Sequence, residues 1–368
     1  MFCLVAAAFT TIYIPQPVLP VLQTEFRVDE KSASLTISVV IFGMALSSIF
    51  FGKMADSYPI KPIILIGGIA VTACGIFSAF ATSLPILIVT RFIQGLFIPA
   101  LTTCLAAYLA QKLPLEKLNV VMGSYVSATV AGGLSGRLLG GWISPVLNWR
   151  FAFLSAAFFV IAATLAAAYL IPGGKTSDES QYNSIKFTNL IARKDLLRIY
   201  VVAFASYFAF SSVYNYMPFY LSNPPFQAST SLITMMYFSY ITGIIIGPFA
   251  GKLSNIFGSG KTLVMGSLIF SLSIGLTLFG SISVITISLV GVCAGFFTIH
   301  ATAAGLLNCK LNSGKGRANS LYVFFYYLGG SIGITLSGYA YNFMNWPGIV
   351  ALCIMIMFLP LIVGLLEI

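Results

Sequence analysis

The sequence predicts an all-α membrane protein of twelve transmembrane helices, arranged as two pseudo-symmetric six-helix bundles. Three observations carry this. Of 368 residues, 58% are hydrophobic and only 8% are charged. The mean hydropathy is +0.97, and a water-soluble chain of this size cannot hide so much apolar surface. The apolar residues also fall into twelve runs, each about the ~20 residues that cross a bilayer as a helix. Finally, the two halves repeat. Gly52-Lys53-Met54-Ala55-Asp56 returns 199 positions later as Gly251-Lys252-Leu253-Ser254-Asn255. Gly132-Gly133 with Gly136, and Asn148-Trp149, return after 197 positions as Gly329-Gly330 with Gly333, and Asn345-Trp346. Paired repeats in one membrane are typical of carriers that bind between their halves.

The first run, 2–23, has no basic segment before it and no small-residue cleavage site. It reads as a retained helix rather than a removed signal peptide. Pro15, Pro17 and Pro20 within it mark a kink, which membrane helices tolerate. Runs 34–55 and 62–80 are separated by the polar loop from Lys53 to Lys61. Run 84–110 carries Arg91 and Pro99, and run 119–145 carries a glycine cluster with Arg137. Run 149–171, after Asn148, closes the first bundle. The longest hydrophilic stretch, 172–198, reads as a linker, and its end, 187–197, as a basic amphipathic helix on the membrane surface. Runs 199–222, 228–251 (with Pro248), 262–280, 283–309, 317–342 and 346–366 form the second bundle. The expected domains are therefore 1–171, the cytoplasmic linker 172–198, and 199–368.

Charge sets the orientation. Fourteen of the nineteen Lys and Arg residues lie in the loops near 53–61, 112–117, 175–198, 252–261 and 310–317. The opposite side holds Arg27, Lys31 and Arg150. The positive-inside rule then puts both termini and the linker in the cytoplasm. The same scattering over short loops explains the net charge of +10 without a nucleic-acid partner. The six cysteines form no CxxC pair and read as small packing residues. With one histidine, no HExxH and no phosphate-binding loop, neither a metal, a cofactor nor an enzyme activity is expected.

Gly52-Lys53-Met54-Ala55-Asp56-Ser57-Tyr58-Pro59-Ile60-Lys61 resembles the Gly-x-Leu-Ala-Asp-Arg-x-Gly-Arg-Lys loop of the major facilitator superfamily. Arg91-Phe92-Ile93-Gln94-Gly95 resembles its Arg-x-x-Gln-Gly motif. Gly132 to Gly141, followed by Asn148-Trp149-Arg150-Phe151, is similar to the glycine-rich fifth span of its exporters. Tyr13-Ile14-Pro15-Gln16-Pro17 together with Gly136-Arg137 looks most like the YnfM-like branch of bacterial inner-membrane efflux proteins. The chain departs from these patterns at Ser57, Pro59, Ile60 and Asn255, and Gly136-Arg137 stands where exporters carry Gly-Pro.

The resemblance implies a cytoplasmic gate at Gly52, Asp56 and Lys61, with the Asp56 carboxylate facing the start of the eleventh span, where the helix dipole favours negative charge. It also implies that spans 1, 4, 7 and 10 line a cavity. Candidate substrate or coupling residues are then Tyr13, Gln16, Arg91, Gln94, Arg137, Tyr207, Ser211, Tyr214, Asn215, Thr298 and His300. Tyr237, Tyr240, Tyr322, Tyr326 and Tyr327 add a second aromatic group. Arg91 and Arg137 are the only charges well inside spans, which marks a functional site by default. Snorkelling to the interface and a structural role against backbone carbonyls are the other readings. All nine acids lie in loops or at span ends, so neutral or anionic solutes suit the interior better than cations. His300 is the one mid-span residue of a type that changes charge near neutral pH. Gly132, Gly133, Gly136, Gly140 and Gly141 have the small-xxx-small spacing of close helix packing.

Together these observations lead us to expect a monomeric, multi-pass inner-membrane protein. It would be a secondary active transporter that exports a small organic solute by alternating access, coupled to protons. An organic-anion importer, exchanger or facilitator is the alternative, with Arg91 and Arg137 as counter-charges. A receptor or enzyme would be a different class, and no appended soluble domain supports one.

Overall fold

The computed structural model describes residues 1–112, 115–171, 187–311 and 314–368. Within these, the side chains of Asp56, residues 110–120, Gly123, Pro248 and Lys315 are outside the description. The helices in the first half are α1 (Phe2–Tyr13), α2 (Leu19–Phe26), α3 (Glu30–Ser57), α4 (Ile60–Ala79), α5 (Leu84–Leu101), α6 (Thr103–Lys112), α7 (Leu115–Val146) and α8 (Trp149–Leu170). The second half has α9 (Phe187–Ala192), α10 (Lys194–Ser222), α11 (Thr230–Met236), α12 (Ile241–Phe257), α13 (Ser259–Leu276), α14 (Ile282–Cys309) and α15 (Lys315–Leu366).

Ten segments among the described residues are long and apolar enough to cross a membrane. One of them, Gly316–Leu366, is two spans joined at a break, where Met344 and Asn345 leave helical geometry and Asn345 takes φ 52°. With the 32-residue α7, the total is the expected twelve. The first span is itself broken. α1 stops at Tyr13, a 3-10 turn covers Gln16–Val18, and α2 continues to Phe26. Pro15 and Pro17, which cannot donate backbone hydrogen bonds, are the reason.

The chain forms two compact units. One comprises Met1–Val28, Leu35–Tyr182 and Thr230–Tyr237; the other comprises Asp29–Ser34, Asn183–Ser229 and Phe238–Ile368. Each is built on the same helix pairings. In the first, α1 packs on α7 and α4 on α5 and α8; in the second, α10 packs on α15 and α13 on α14 and α15. The repeat extends to single contacts. Gly67 meets Ala100, and Gly266, 199 positions on, meets Ile299, also 199 on. Trp149 and Trp346 are both fully buried at the starts of their spans, but they bond differently. The Trp149 indole donates to Glu25 and the Trp346 indole to Thr277 Oγ1 at 2.8 Å.

Two local features differ from the sequence reading. The amphipathic helix expected over 187–197 ends at Ala192, because Arg193 is extended (ψ 109°). Lys194 to Leu197 instead form the first turn of α10, with Arg193 paired to Asp195 at 2.6 Å. Residues 172–186 of the expected linker lie outside the described residues.

α3 is capped by Asp29, whose Oδ1 accepts the Ser32 backbone N–H at 2.9 Å. Its Oδ2 accepts from Asn342 Nδ2 at 3.4 Å. These bonds, the Ser32 side-chain bond first, hold the Asp29 carboxyl below the usual carboxylate range, against partial burial. A depressed folded pKa gives stability that is present above the unfolded value of about 3.9. That stability is lost as the pH falls through the folded value. Asp29→Ala is therefore expected to cost about 1 kcal/mol at neutral pH, a difference that shrinks in acid as the carboxylate is protonated. Thermal unfolding of wild type and variant across pH checks this, and a pH-independent difference would contradict it.

Candidate functional site

In the first unit the sequence-flagged polar residues converge on the break between α1 and α2. Pro15 has no N–H, so the Thr11 carbonyl four residues earlier loses its helical donor. Ile12 lies in the last turn of α1, whose carbonyls also lack onward donors. Orphaned carbonyls in a dry interior are costly. Arg91 of α5 supplies the missing donors. Its Nη1 donates to Thr11 O and its Nη2 to Ile12 O, both at 2.7 Å. Its Nε donates to Thr36 O of α3 at 3.1 Å. Nη1 also bonds the Gln94 side-chain oxygen, and Gln94 Nε2 donates to Val71 O of α4 at 3.0 Å. The guanidinium is wholly buried, so it does not snorkel, and one cation ties together α1, α3, α4 and α5.

Arg137 of α7 approaches the other side of the same break. Its Nε donates to Gln16 Oε1 at 2.6 Å, and its Nη1 to Gly133 O at 2.7 Å. Its guanidinium carbon lies 3.9 Å from the Tyr13 ring centroid and 5.4 Å from that of Tyr237. Aromatic faces are electron-rich, and desolvation strengthens their attraction for a cation. Tyr13, Gln16, Arg91, Gln94 and Arg137 thus form one buried assembly.

The glycines of α7 bring its backbone against α1. A Cβ on Gly132, Gly136 or Gly140 would lie 2.2, 2.3 or 2.0 Å from the carbonyl oxygens of Ala6, Thr10 and Ile14. The four-residue spacing on both helices is a continuous backbone-to-backbone seam. Gly133 lies against Arg137 and Tyr13, and Gly141 against Thr234 of α11. The second unit repeats the seam at Gly329 and Gly333, which meet the Phe204 and Phe208 carbonyls.

The remaining candidates lie in the second unit. Tyr207 stacks on Tyr326, with centroids 3.9 Å apart. Ser211 Oγ bonds Gly330 O at 3.0 Å. Tyr214 OH bonds Ser239 Oγ at 2.7 Å and Leu289 O at 3.2 Å, while Asn215 Nδ2 donates to Ser34 Oγ at 2.7 Å. Thr298 turns its hydroxyl back to Ala294 O of its own helix at 2.8 Å. His300 Nδ1 is 2.9 Å from Tyr322 OH. The sequence reading missed Phe296, which packs against both Tyr207 and His300, and Phe210, which stacks on Phe296. The four-residue step from Phe296 to His300, matched by Tyr322 to Tyr326, was the available signal, since both steps keep to one helix face.

Of the expected gate, Gly52 lies in the closing turns of α3 and Lys61 is the second residue of α4. The Asp56 side chain lies outside the described residues. No group of three or more His, Cys, Asp or Glu able to hold a metal ion occurs among the described residues.

Comparison with known proteins completes the picture. The family profile described as Major Facilitator Superfamily matches residues 1–309. The inner membrane transport protein YnfM of Escherichia coli is 27% identical, across 97% of this chain and 87% of that protein. The MFS-type transporter YybF of Bacillus subtilis is 28% identical, across 95% of this chain and 89% of that protein. The multi-drug resistance efflux pump PmrA of Streptococcus pneumoniae is 26% identical, across 88% of this chain and 84% of that protein. Twelve spans, duplicated helix pairings and a family match over most of the chain lead to one conclusion: this protein belongs to the major facilitator superfamily and is a multi-pass membrane transporter of small molecules, not an enzyme.

Proposed function

We propose that the protein is a secondary active transporter that exports a small neutral or anionic organic solute by alternating access, in exchange for protons. The observation that carries this reading is His300. It is the only histidine in the chain, sits deep in α14, is half-buried, and is held by Tyr322 OH at 2.9 Å. It belongs to the residue type that changes charge near neutral pH, and among the described residues every carboxylate lies in a loop or near a helix end. Export is supported by similarity to a protein named as a multi-drug efflux pump. A neutral or anionic solute is supported by the absence of any mid-helix carboxylate among the described residues. Arg91 and Arg137 brace the first unit in this reading, and the aromatic wall of the second unit receives the solute.

The test uses proteoliposomes with an imposed pH gradient, an internal pH dye, and a panel of neutral and carboxylated aromatic and polyol solutes. At least one solute should drive proton movement in wild type. His300→Gln should abolish gradient-driven accumulation while sparing downhill exchange of the same solute. Solute movement that only equilibrates across the membrane and ignores the pH gradient would overturn the proton exchange and favour an organic-anion facilitator.

A further inference from the structure

The second unit contains a stack of nearly parallel rings that ends on a polar one. Phe210 of α10 lies on Phe296 of α14 with centroids 3.9 Å apart and planes 16° apart. Phe296 is parallel to His300, one turn further along, at 5.7 Å and 7°. Tyr326 of α15 stands against the imidazole at 4.9 Å and 45°, backed by Tyr207 at 3.9 Å. Phe210 and Phe296 are buried, whereas His300 and Tyr326 are only half-buried. The stack therefore runs from fully buried residues to partly exposed ones. Offset stacking on such a ring suits a flat aromatic partner.

The hydrogen bonds of His300 define what that partner carries. Tyr322 OH lies 2.9 Å from Nδ1 and 3.2 Å from the His300 carbonyl oxygen. A hydroxyl has one proton and two lone pairs. Donating the proton to the carbonyl leaves the oxygen to accept from Nδ1–H, and both contacts are then satisfied. The tautomer assigned from this network leaves Nε2 as a bare acceptor. Nε2 has no hydrogen-bond partner among the described residues. The groups that face the ring are Phe296 on its own helix and Tyr322 and Tyr326 from α15, with Tyr207 of α10 behind. The neighbouring helices α12 and α13 meet α14 at Gly243 against Phe297 and at Gly266 against Ile299. No lysine, arginine or carboxylate acts electrostatically on the imidazole among the described residues.

We infer that the solute is a planar aromatic molecule bearing an O–H or N–H donor, stacked on His300 and hydrogen-bonded to Nε2. Solute and proton then compete for one lone pair: a protonated Nε2 is a donor and rejects the solute's own donor. This rests on the transport reading only in taking the site to be that of the carried solute. Equilibrium binding tests it independently of flux.

The probes are 2-naphthol, 2-methoxynaphthalene, which lacks the donor, and cyclohexanol, which lacks the aromatic face. Each is dialysed to equilibrium against the detergent-purified full chain, with empty micelles as blank. Wild type at pH 7.5 should bind 2-naphthol roughly tenfold tighter than 2-methoxynaphthalene, the scale of one hydrogen bond in a dry site. Acidification should erase that preference. His300→Phe keeps the stack and removes the acceptor, so it should bind the two naphthalenes equally. Tyr322→Phe frees the tautomer and should reduce the preference without loss of stacking, which provides a second variant if the first does not fold. Equal binding of the two naphthalenes by wild type would overturn the inference. So would a preference that survives in His300→Phe, or cyclohexanol binding as tightly as 2-naphthol. If these binding results fail while gradient-driven flux persists, the substrate class falls and the transporter reading stands. Flux that ignores the gradient, with naphthol binding intact, would remove the proton exchange and leave the substrate class standing.

Discussion

Arg91→Ala should destabilise the protein more than truncation of any other side chain in the first unit. The substitution leaves the Thr11, Ile12 and Thr36 carbonyls without their present donor and the Gln94 side-chain oxygen without its arginine donor. Each buried acceptor left unsatisfied in this way costs about 1–3 kcal/mol, and several are lost together. Arg91→Lys should fall between, because an ammonium is a point donor and cannot span three carbonyls as a planar fork does. Melting of the detergent-solubilised variants measures the effect. If Arg91→Ala melts with wild type yet loses solute binding, Arg91 belongs to the solute site rather than to the brace.

The second large effect is expected from Gly136→Val. Even one methyl carbon there would sit 2.3 Å from Thr10 O and 3.0 Å from Thr10 Cα. Backbone cannot swing aside as a side chain does, so α1 and α7 must separate along the seam. Overpacking commonly costs about 1–3 kcal/mol, and separation of the seam also strains the contacts around Gln16 and Arg137. Gly136→Ala should already lower the melting temperature, and Gly136→Val should sharply reduce the folded yield. Gly275→Ala provides the contrast, because a Cβ there meets open space. Size-exclusion profiles of the three variants check the order, and equal yields for Gly136→Val and Gly275→Ala would contradict the seam.

The spans were legible in the sequence because run length and hydropathy report directly on the bilayer. The break in α15 at Met344–Asn345 was legible too, since Asn345-Trp346 repeats the Asn148-Trp149 that opens α8. The start of α10 at Lys194 was not, because its first turn is polar and shares the composition of the preceding stretch. Arg91 stood out as a charge in an apolar run, but its partners are peptide carbonyls, which carry no side-chain signature. Only the missing N–H of Pro15 hinted at them. The glycines announced a close approach without identifying the opposite helix, because spacing defines a face and not a neighbour. Phe210 and Phe296 had no contrast against the apolar residues around them, so the ring stack appears only once α10 and α14 are side by side.

The order in which the chain is made bears on Arg91. An arginine at the centre of an inserting helix raises the cost of insertion by about 2.5–3.5 kcal/mol. Synthesis proceeds from the N-terminus, so the Thr11, Ile12 and Thr36 carbonyls enter the membrane before Arg91 does. The same holds for Gln16 and Arg137. Each cation thus reaches the lipid with its acceptors already waiting, and the costly residue inserts into a prepared site. A circular permutant that begins at α5 would reverse this sequence of arrival. It would present Arg91 to hydrocarbon alone, and poor insertion of α5 would follow even though the finished protein contained every contact of the original.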